Sequence, residues 1–279
     1  MSKHISDDLK SDIVDFYKES PTRTLEEVSE KFNLCNPTIT KILKERGVSL
    51  WPRHLKNNPN LNESYFEKID TEGKAYFLGL IIADGNVFEF KSSTRQKMTS
   101  ISLDDGDSYM LEKFREEVKA TRKVSSDGRG CSQIMIPSSK LANDLSKYGV
   151  VPRKSFITYL PVVDDSFMPH LIRGILDGDG NITAHMIPSN KYLHSMSFCG
   201  THRLMSELSD YLTDKAKLTF KPNVYDYKNR QLSEISIRSI ENMEKLGNYL
   251  YKDSTIYLKR KRDIFDDFLT HYNLPIIPR

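Results

Sequence analysis

A chain of 279 residues holds one large domain or two to three small ones, and its 38% hydrophobic and 28% charged residues describe a protein with much exposed surface. A net charge of +3 is too small to argue for nucleic acid by itself, so any such role rests on local basic patches. The three cysteines, Cys35, Cys131 and Cys199, stand at no metal or redox spacing, which argues against a disulfide frame or zinc ribbon and fits a reducing cytoplasm.

The opening Met1-Ser2-Lys3-His4-Ile5 has no apolar signal core. The longest apolar run, Ala75 to Ala83, is far short of the ~20 residues of a membrane span. No membrane partner is therefore expected, and the expected location is cytoplasmic.

Residues 6 to 47 read as three short helices. Leu9, Ile13, Val14, Phe16 and Tyr17 recur at near-helical spacing over Ser6 to Glu19, and Pro21 stops the run. Thr24 with Glu27 three residues on is a capping box for a second helix burying Leu25, Val28 and Phe32. After a tight turn at Asn33-Leu34-Cys35, Asn36 reads as the cap and Pro37 as the first residue of a third helix, with Ile39, Ile42 and Leu43 inward. Thr38, Thr40, Lys41, Lys44 and Arg46 are left outside. Two short helices joined by a three-residue turn, the second small and basic outside, resemble a helix-turn-helix DNA-binding module. The alternative is a protein-binding bundle with a solvated basic face. Val48 to Asn62, with Pro52, Pro59 and Trp51, reads as a linker in which Arg53, His54 and Lys56 either follow a phosphate backbone or are merely solvated.

The stretch Phe77-Leu78-Gly79-Leu80-Ile81-Ile82-Ala83-Asp84-Gly85 returns 95 residues later as Ile172-Arg173-Gly174-Ile175-Leu176-Asp177-Gly178-Asp179-Gly180. Gly79 and Ala83, and likewise Gly174 and Gly178, lie on one helix face at i, i+4 and let two backbones approach closely. Gly85 and Gly180 suit a left-handed helix end. Asp84 and Asp179 then stand at helix C-termini, where the macrodipole contributes roughly half a negative charge. Two such carboxylates at one interface raise a pKa or demand a cation. Oxygen ligands of this kind suit Mg²⁺ or Ca²⁺ with phosphate oxygens completing the shell, the arrangement of metal-assisted phosphodiester hydrolysis.

Both copies resemble, over all nine positions, the motif of the LAGLIDADG homing endonuclease family, and the resemblance runs from near Ser64 to the C-terminus. It implies an α+β fold of two pseudo-symmetric α-β-β-α-β-β-α halves with the motif helices packed along a pseudo-twofold axis. It also implies a monomer that cleaves both strands of double-stranded DNA, with Asp84 and Asp179 as the metal-binding acids and Gly85 and Gly180 beside them in the metal site. Mg²⁺ is the implied cofactor, with Mn²⁺ or Ca²⁺ able to take its place in binding. A lysine near the end of each half orients water or offsets charge in that family; by position the counterparts are Lys154 and either Lys259 or Lys261. Ile82 and Arg173 depart from the family's usual residues, and the family's recurrent polar position falls at Asp105 and Gly200. A non-cleaving DNA-binding regulator and an RNA-splicing maturase are alternatives on the same scaffold. An ordinary pair of core helices ending in Asp-Gly is the reading without function.

The first half continues as a hairpin of Asn86 to Lys91 and Lys97 to Leu103 through Ser92-Ser93-Thr94, a helix from Asp107 to Ala120, a hairpin from Lys123 to Ile136, and a helix ending at Gly149. The second half repeats the order. Its strands are Asn181 to Ile187, Tyr192 to Cys199, Leu218 to Tyr227 and Gln231 to Arg238; its helices are His202 to Ala216, Ile240 to Leu250 and Ile256 to Leu269. The expected organisation is thus a helix-turn-helix domain over 1–47, a linker over 48–62, and halves over 63–160 and 161–279. Strands lying in a DNA groove read it with alternate side chains. The candidates are Lys91, Arg95, Lys97, Arg129 and Gln133 in the first half, and Asn190, Lys191, His194, Lys221, Lys228, Arg230 and Arg238 in the second, beside Thr38, Thr40, Lys41, Lys44 and Arg53 ahead of them.

Overall fold

The first three elements follow from their caps. In the computed structural model, which describes residues 5–20, 23–50, 58–89, 96–228 and 230–279, helices α1 (Asp7–Lys18), α2 (Leu25–Phe32) and α3 (Asn36–Glu45) come first. The Thr24 hydroxyl accepts the Glu27 N–H at 3.1 Å and the Glu27 carboxylate accepts the Thr24 N–H at 2.6 Å, closing the expected capping box. Asn33 ends α2 in the left-handed region with φ of 50°. The cap of α3 is Cys35 rather than Asn36, and Asn36 is already helical. The Asn36 amide is instead donated to Glu26 at 3.3 Å. Ile13, Val14, Tyr17, Val28, Ile39, Ile42 and Leu43 pack as one apolar cluster, on the stripes a 3.6-residue period dictates. They belong to the first of two compact units, residues 1–62 with 119–122; the second unit comprises 63–118 and 123–279.

The second unit runs through one order of elements twice. Helix α4 (Glu72–Asp84), strands β1 (Gly85–Glu89) and β2 (Lys97–Asp104), helix α5 (Ser108–Glu117), strands β3 (Ser125–Ser126) and β4 (Cys131–Pro137) and helix α6 (Ser139–Ser146) form the first half. Helix α7 (Met168–Asp179), strands β5 (Gly180–Met186) and β6 (Tyr192–Gly200), helix α8 (His202–Lys215), strands β7 (Val224–Asp226) and β8 (Ser233–Ile237) and helices α9 (Ile240–Tyr251) and α10 (Lys259–His271) form the second. Each half holds a four-stranded antiparallel sheet, ordered β1-β2-β4-β3 and β5-β6-β8-β7. Gly85 pairs with Ile101 and Gly180 with Phe198, so both sheets begin in the same register. Strand alternation turns Ile101, Leu103, Ile134 and Ile136, and in the other sheet Met196, Phe198, Ile235 and Ile237, into the core.

Helices α4 and α7 form the axis of this unit. Helix α4 is buried on all sides from Ala75 to Ile82, which is why it is apolar around its whole circumference. The helices touch backbone to backbone. A Cβ added to Gly79 would lie 2.0 Å from the Leu171 carbonyl oxygen, and one on Gly174 would lie 2.1 Å from that of Tyr76. One on Gly178 would lie 2.3 Å from the Ala83 methyl, so all four small residues are interface residues.

Three expectations change. Gly85 and Gly180 are not left-handed; their φ values are −86° and −97° in extended backbone. Glycine is required there by close approach, since a Cβ would sit 2.6 Å from the Ile81 or Leu176 carbonyl oxygen. The strand expected from Leu218 shrinks to Val224–Asp226, because the Thr219 N–H goes to Asn242 at 2.8 Å and the Pro222 carbonyl to Ser209 at 2.6 Å. The helix expected from Ile256 begins at Lys259, since carboxylates of Glu72 and Asp177 take the N–H groups of Ile256 and Leu258 at 3.0 and 2.8 Å. The Ser92–Thr94 turn lies outside the described residues. Among the described residues no helix is long and apolar enough to cross a membrane.

Candidate active site

The last residue of α4 is Asp84 and the last of α7 is Asp179. The interface glycines bring these tips together: the position of a Cβ on Gly178 is 3.1 Å from Asp84 Oδ2. Burial, and after it the Asp179 charge, push the Asp84 carboxyl up to about 6; burial likewise raises Asp179. Neither carboxylate has a hydrogen-bond or ion-pair partner among the described residues; Asp84 is partly buried and Asp179 reaches solvent, yet desolvation raises the pKa of both. Desolvated carboxylates left in that state call for a cation. No set of three His, Cys, Asp or Glu side chains gathers among the described residues. A divalent ion here would therefore draw the rest of its oxygen shell from water and substrate.

Two lysines flank the pair. Lys154 Nζ donates to the carbonyls of Ile82 at 2.6 Å and Ala83 at 3.1 Å, at the C-terminus of α4. Lys261 Nζ donates to the carbonyls of Leu176, Asp177 and Gly180 at 2.6, 2.7 and 2.6 Å, at the C-terminus of α7. Each lysine thus satisfies helix-end carbonyls and counters the negative end of the macrodipole. Both are buried, and burial lowers their pKa values, that of Lys261 to about 8. The carbonyl of Gly180, a residue expected in the metal site, accepts from Lys261. Lys259 is elsewhere: its side chain is exposed and paired with Asp263 at 2.5 Å. A cavity of about 240 Å³ opens beside Asp179, lined also by Ala83, Lys154, Cys199 and Gly200.

The remaining candidates divide by strand face. Gln133 lies on the sheet face away from Ile134 and donates to Ser102 at 2.9 Å. Arg238 continues the equivalent face of β8 with Ser236 and Glu234, beside Tyr225 and Lys221, around a 410 Å³ hollow. Arg129, Lys191, Lys228 and Arg230 are exposed on turns, and Lys221 is paired with Asp210. Lys97 and His194 sit on the core side of their sheets, not on the open face expected of groove-reading side chains. Lys97 has the parity of buried Ile101 and reaches Asn143 of α6 at 2.7 Å. His194 has the parity of buried Met196 and Phe198 and lies 3.0 Å from the Tyr272 hydroxyl. Asn190 forms the left-handed corner of its turn with φ of 55°. In the first unit Lys41 and Lys44 are exposed on α3, Thr40 is half-buried, and the Thr38 hydroxyl is 3.1 Å from Cys35 Sγ. Arg53, Lys91 and Arg95 lie outside the described residues.

Asp105 and Gly200 are not equivalent positions. The paired registers match Gly200 with Leu103 and Cys199 with Ser102, while Asp105 holds the Ser132 hydroxyl at 2.6 Å. Arg260 was absent from the sequence candidates, yet its charge acts on Asp84 from the seat provided by Asp107 at 2.8 Å. The signal for it was the dipeptide Arg153-Lys154, repeated as Arg260-Lys261 at the end of the second half.

No family model matches the chain, and no curated protein sequence matches it. Solved structures do. A point variant of I-SmaMI aligns at a TM-score of 0.54 and 14% identity, covering 71% of this chain and 92% of the other. The I-SmaMI LAGLIDADG homing endonuclease bound to cleaved DNA aligns at 0.52 and 12% identity, covering 74% and 91%. I-SmaMI bound to an uncleaved DNA target in the presence of calcium ions aligns at 0.50 and 13%, covering 74% and 92%. At these identities the likeness is one of fold: the chain has the two-repeat fold of the LAGLIDADG homing endonucleases.

Proposed function

We propose that this protein is a site-specific endonuclease that hydrolyses one phosphodiester in each strand of double-stranded DNA, with divalent cations held by Asp84 and Asp179. The observation that carries this reading is the pair of carboxylates at two touching helix tips, with raised pKa values, no hydrogen-bond or ion-pair partner among the described residues, and a buried lysine on either side. I-SmaMI, on the same fold, is a homing endonuclease with structures bound to cleaved DNA and to DNA with calcium ions.

A bound Mg²⁺, or Mn²⁺ in its place, supplies Lewis-acid polarisation of the phosphate and a more acidic water. The chain's own groups do the rest. Asp84 and Asp179 fix the position of the cations. Lys154 and Lys261, anchored on carbonyls, stand as fixed positive charges against the negative charge that develops on the phosphate. Lys261, with its pKa lowered to about 8, carries its proton at neutral pH and releases it more readily than a free lysine. One chain supplies both acids, so the protein acts as a monomer. The sheet faces bearing Ser102 and Gln133, and Glu234, Ser236 and Arg238, read the two half-sites. Helix α3, with Lys41 and Lys44 exposed, adds a DNA contact from the first unit, as the second helix of a helix-turn-helix does.

The test is incubation of the protein and Mg²⁺ with the DNA flanking its own gene, joined without the insert, followed by mapping of breaks on both strands. A staggered double-strand break that disappears with EDTA, and with Asp84→Asn or Asp179→Asn, is the expected result. Cleavage that persists unchanged in either variant removes the assigned centre.

A further inference from the structure

Lys154 and Lys261 meet their helix ends alike but are mounted differently. Lys154 projects from a short 3-10 turn, Lys154–Phe156, behind an exposed Arg153 at φ of 61°. Its neighbours Ser155, Phe156 and Ile157 are exposed. Among the described residues no charged side chain bonds the backbone from 150 to 157. Lys261 instead follows a segment gripped by three charged groups. Arg173, wholly buried, donates to the carbonyls of Leu250 at 2.5 Å and Ile256 at 2.7 Å, and to Glu72 at 2.6 Å. Glu72 accepts the N–H groups of Thr255 and Ile256 at 2.7 and 3.0 Å. Buried Asp177 accepts the Leu258 N–H and the Tyr76 hydroxyl, both at 2.8 Å. Beyond it, the Lys259 N–H goes to the Tyr109 hydroxyl at 2.7 Å and the Arg260 side chain to Asp107.

The repeat shows what this grip replaces. Thirteen-residue α4 and its partner α7 are offset by 95 positions, so Arg173 stands where the first half has Leu78, and Asp177 where it has Ile82. Glu72 and Tyr76 stand where the second half has Phe167 and Leu171. A buried arginine and a buried aspartate are costly to keep, and apolar residues of similar size serve the other copy. Their hydrogen bonds converge on one stretch, residues 250–258, which leads directly into Lys261.

We infer that Arg173, Glu72 and Asp177 are positioning residues that seat Lys261, and that the two strand cuts therefore depend on them unequally. The inference rests on the nuclease reading above. It makes the Lys261 side of the centre the stiffer one and ties its geometry to a network that bonds none of the backbone around Lys154. A mislaid group about 1 Å from its productive place costs on the order of 100-fold in rate.

The test uses a supercoiled plasmid carrying the cleavage site, with nicking of each strand measured separately. Lys261→Met and Lys154→Met identify the strand that each lysine serves. Asp177→Leu is expected to slow the Lys261 strand roughly 10- to 100-fold and leave the other within about 3-fold, so nicked circles accumulate. Asp177→Asn, which keeps an oxygen acceptor for the Leu258 N–H, is expected to restore the rate to within about 3-fold. Glu72→Gln, at a partly exposed site, is the companion if the leucine variant does not fold, with the same strand bias expected. In the metal-free protein, hydrogen exchange of the amides from 255 to 262 should accelerate in Asp177→Leu and not in Asp177→Asn. Equal slowing of both strands, or no change in either, overturns the seat while leaving the nuclease intact. A wild-type protein that cuts neither strand overturns the nuclease reading, and the inference falls with it.

Discussion

Replacing Gly174 by alanine separates two effects of opposite sign. By helix propensity alone, alanine in the middle of α7 stabilises by about 1 kcal/mol. By packing it does the reverse. The new Cβ would lie 2.1 Å from the Tyr76 carbonyl oxygen, 2.8 Å from the Leu80 nitrogen and 3.1 Å from the Gly79 carbonyl carbon, all backbone atoms that no rotamer change can move. Ordinary contact is about 3.5 Å, so the helices must part by more than an ångström along their whole line of contact. Overpacking of this kind costs up to about 3 kcal/mol. Subtracting the propensity gain leaves a loss of about 2 kcal/mol, or roughly 4–8 °C in Tm for a unit of this size. The separation also acts at the helix tips that carry Asp84 and Asp179, where a comparable displacement lowers cleavage on the order of 100-fold. Urea unfolding followed by circular dichroism measures the first effect, and single-turnover cleavage the second. A Gly174→Ala protein as stable as wild type, or more so, would refute the close-packing argument, because propensity would then suffice.

Three further outcomes follow from the same geometry. Asp177 is buried with its carboxyl pushed up to about 6 by burial, so the folded state holds its proton to higher pH than the unfolded chain does. Its contribution to stability is full below about pH 4 and lost as pH rises through 6; Asp177→Asn should remove about 3 kcal/mol of that decline, read from urea midpoints between pH 4 and 7. Lys261→Met should lower cleavage by about 100-fold or more and Lys259→Met should leave it within about 2-fold, since the Lys259 side chain is exposed on the far side of its helix turn and pairs with Asp263. Lys41→Gln with Lys44→Gln should weaken DNA binding across sequences and lower the slope of log K against log salt by roughly 2; an unchanged slope dismisses the α3 contact.

The axis of the fold was legible because its constraint is local: two glycines or small residues four apart, ahead of Asp-Gly, make sense only as a close crossing. The reason for Gly85 and Gly180 was not, since a carbonyl lying 2.6 Å from a missing Cβ is a fact of three dimensions. Lys97 and His194 failed on strand parity. Both strands begin where expected, at Lys97 and Tyr192, but Lys97 and His194 share the parity of buried Ile101 and Met196. Arg173 read as an oddity because its partners, at Glu72, Leu250 and Ile256, are distant in the chain. Lys259 and Lys261 were inseparable by position alone, whereas the Arg-Lys repeat shared with Arg153-Lys154 distinguishes them. The capping box at Thr24, by contrast, lies within four residues and appeared as expected.

The lysines and the carboxylates solve linked problems at one place. Two helices that converge C-terminus to C-terminus bring together two sets of unpaired carbonyls and two negative dipole ends. Lys154 and Lys261 bond five carbonyls there, those of Ile82, Ala83 and Asp177 among the free ones, that of Leu176, which also accepts the Gly180 N–H, and that of Gly180 just beyond the helix. Their ammonium groups are thereby committed to the backbone and form no ion pair with Asp84 or Asp179, whose pKa values remain raised. Had the lysines paired with the carboxylates, the helix ends would be unsatisfied and the carboxylates neutralised. The arrangement instead completes the fold and leaves the acids without a paired positive charge among the described residues, the state that the proposed cation binding requires.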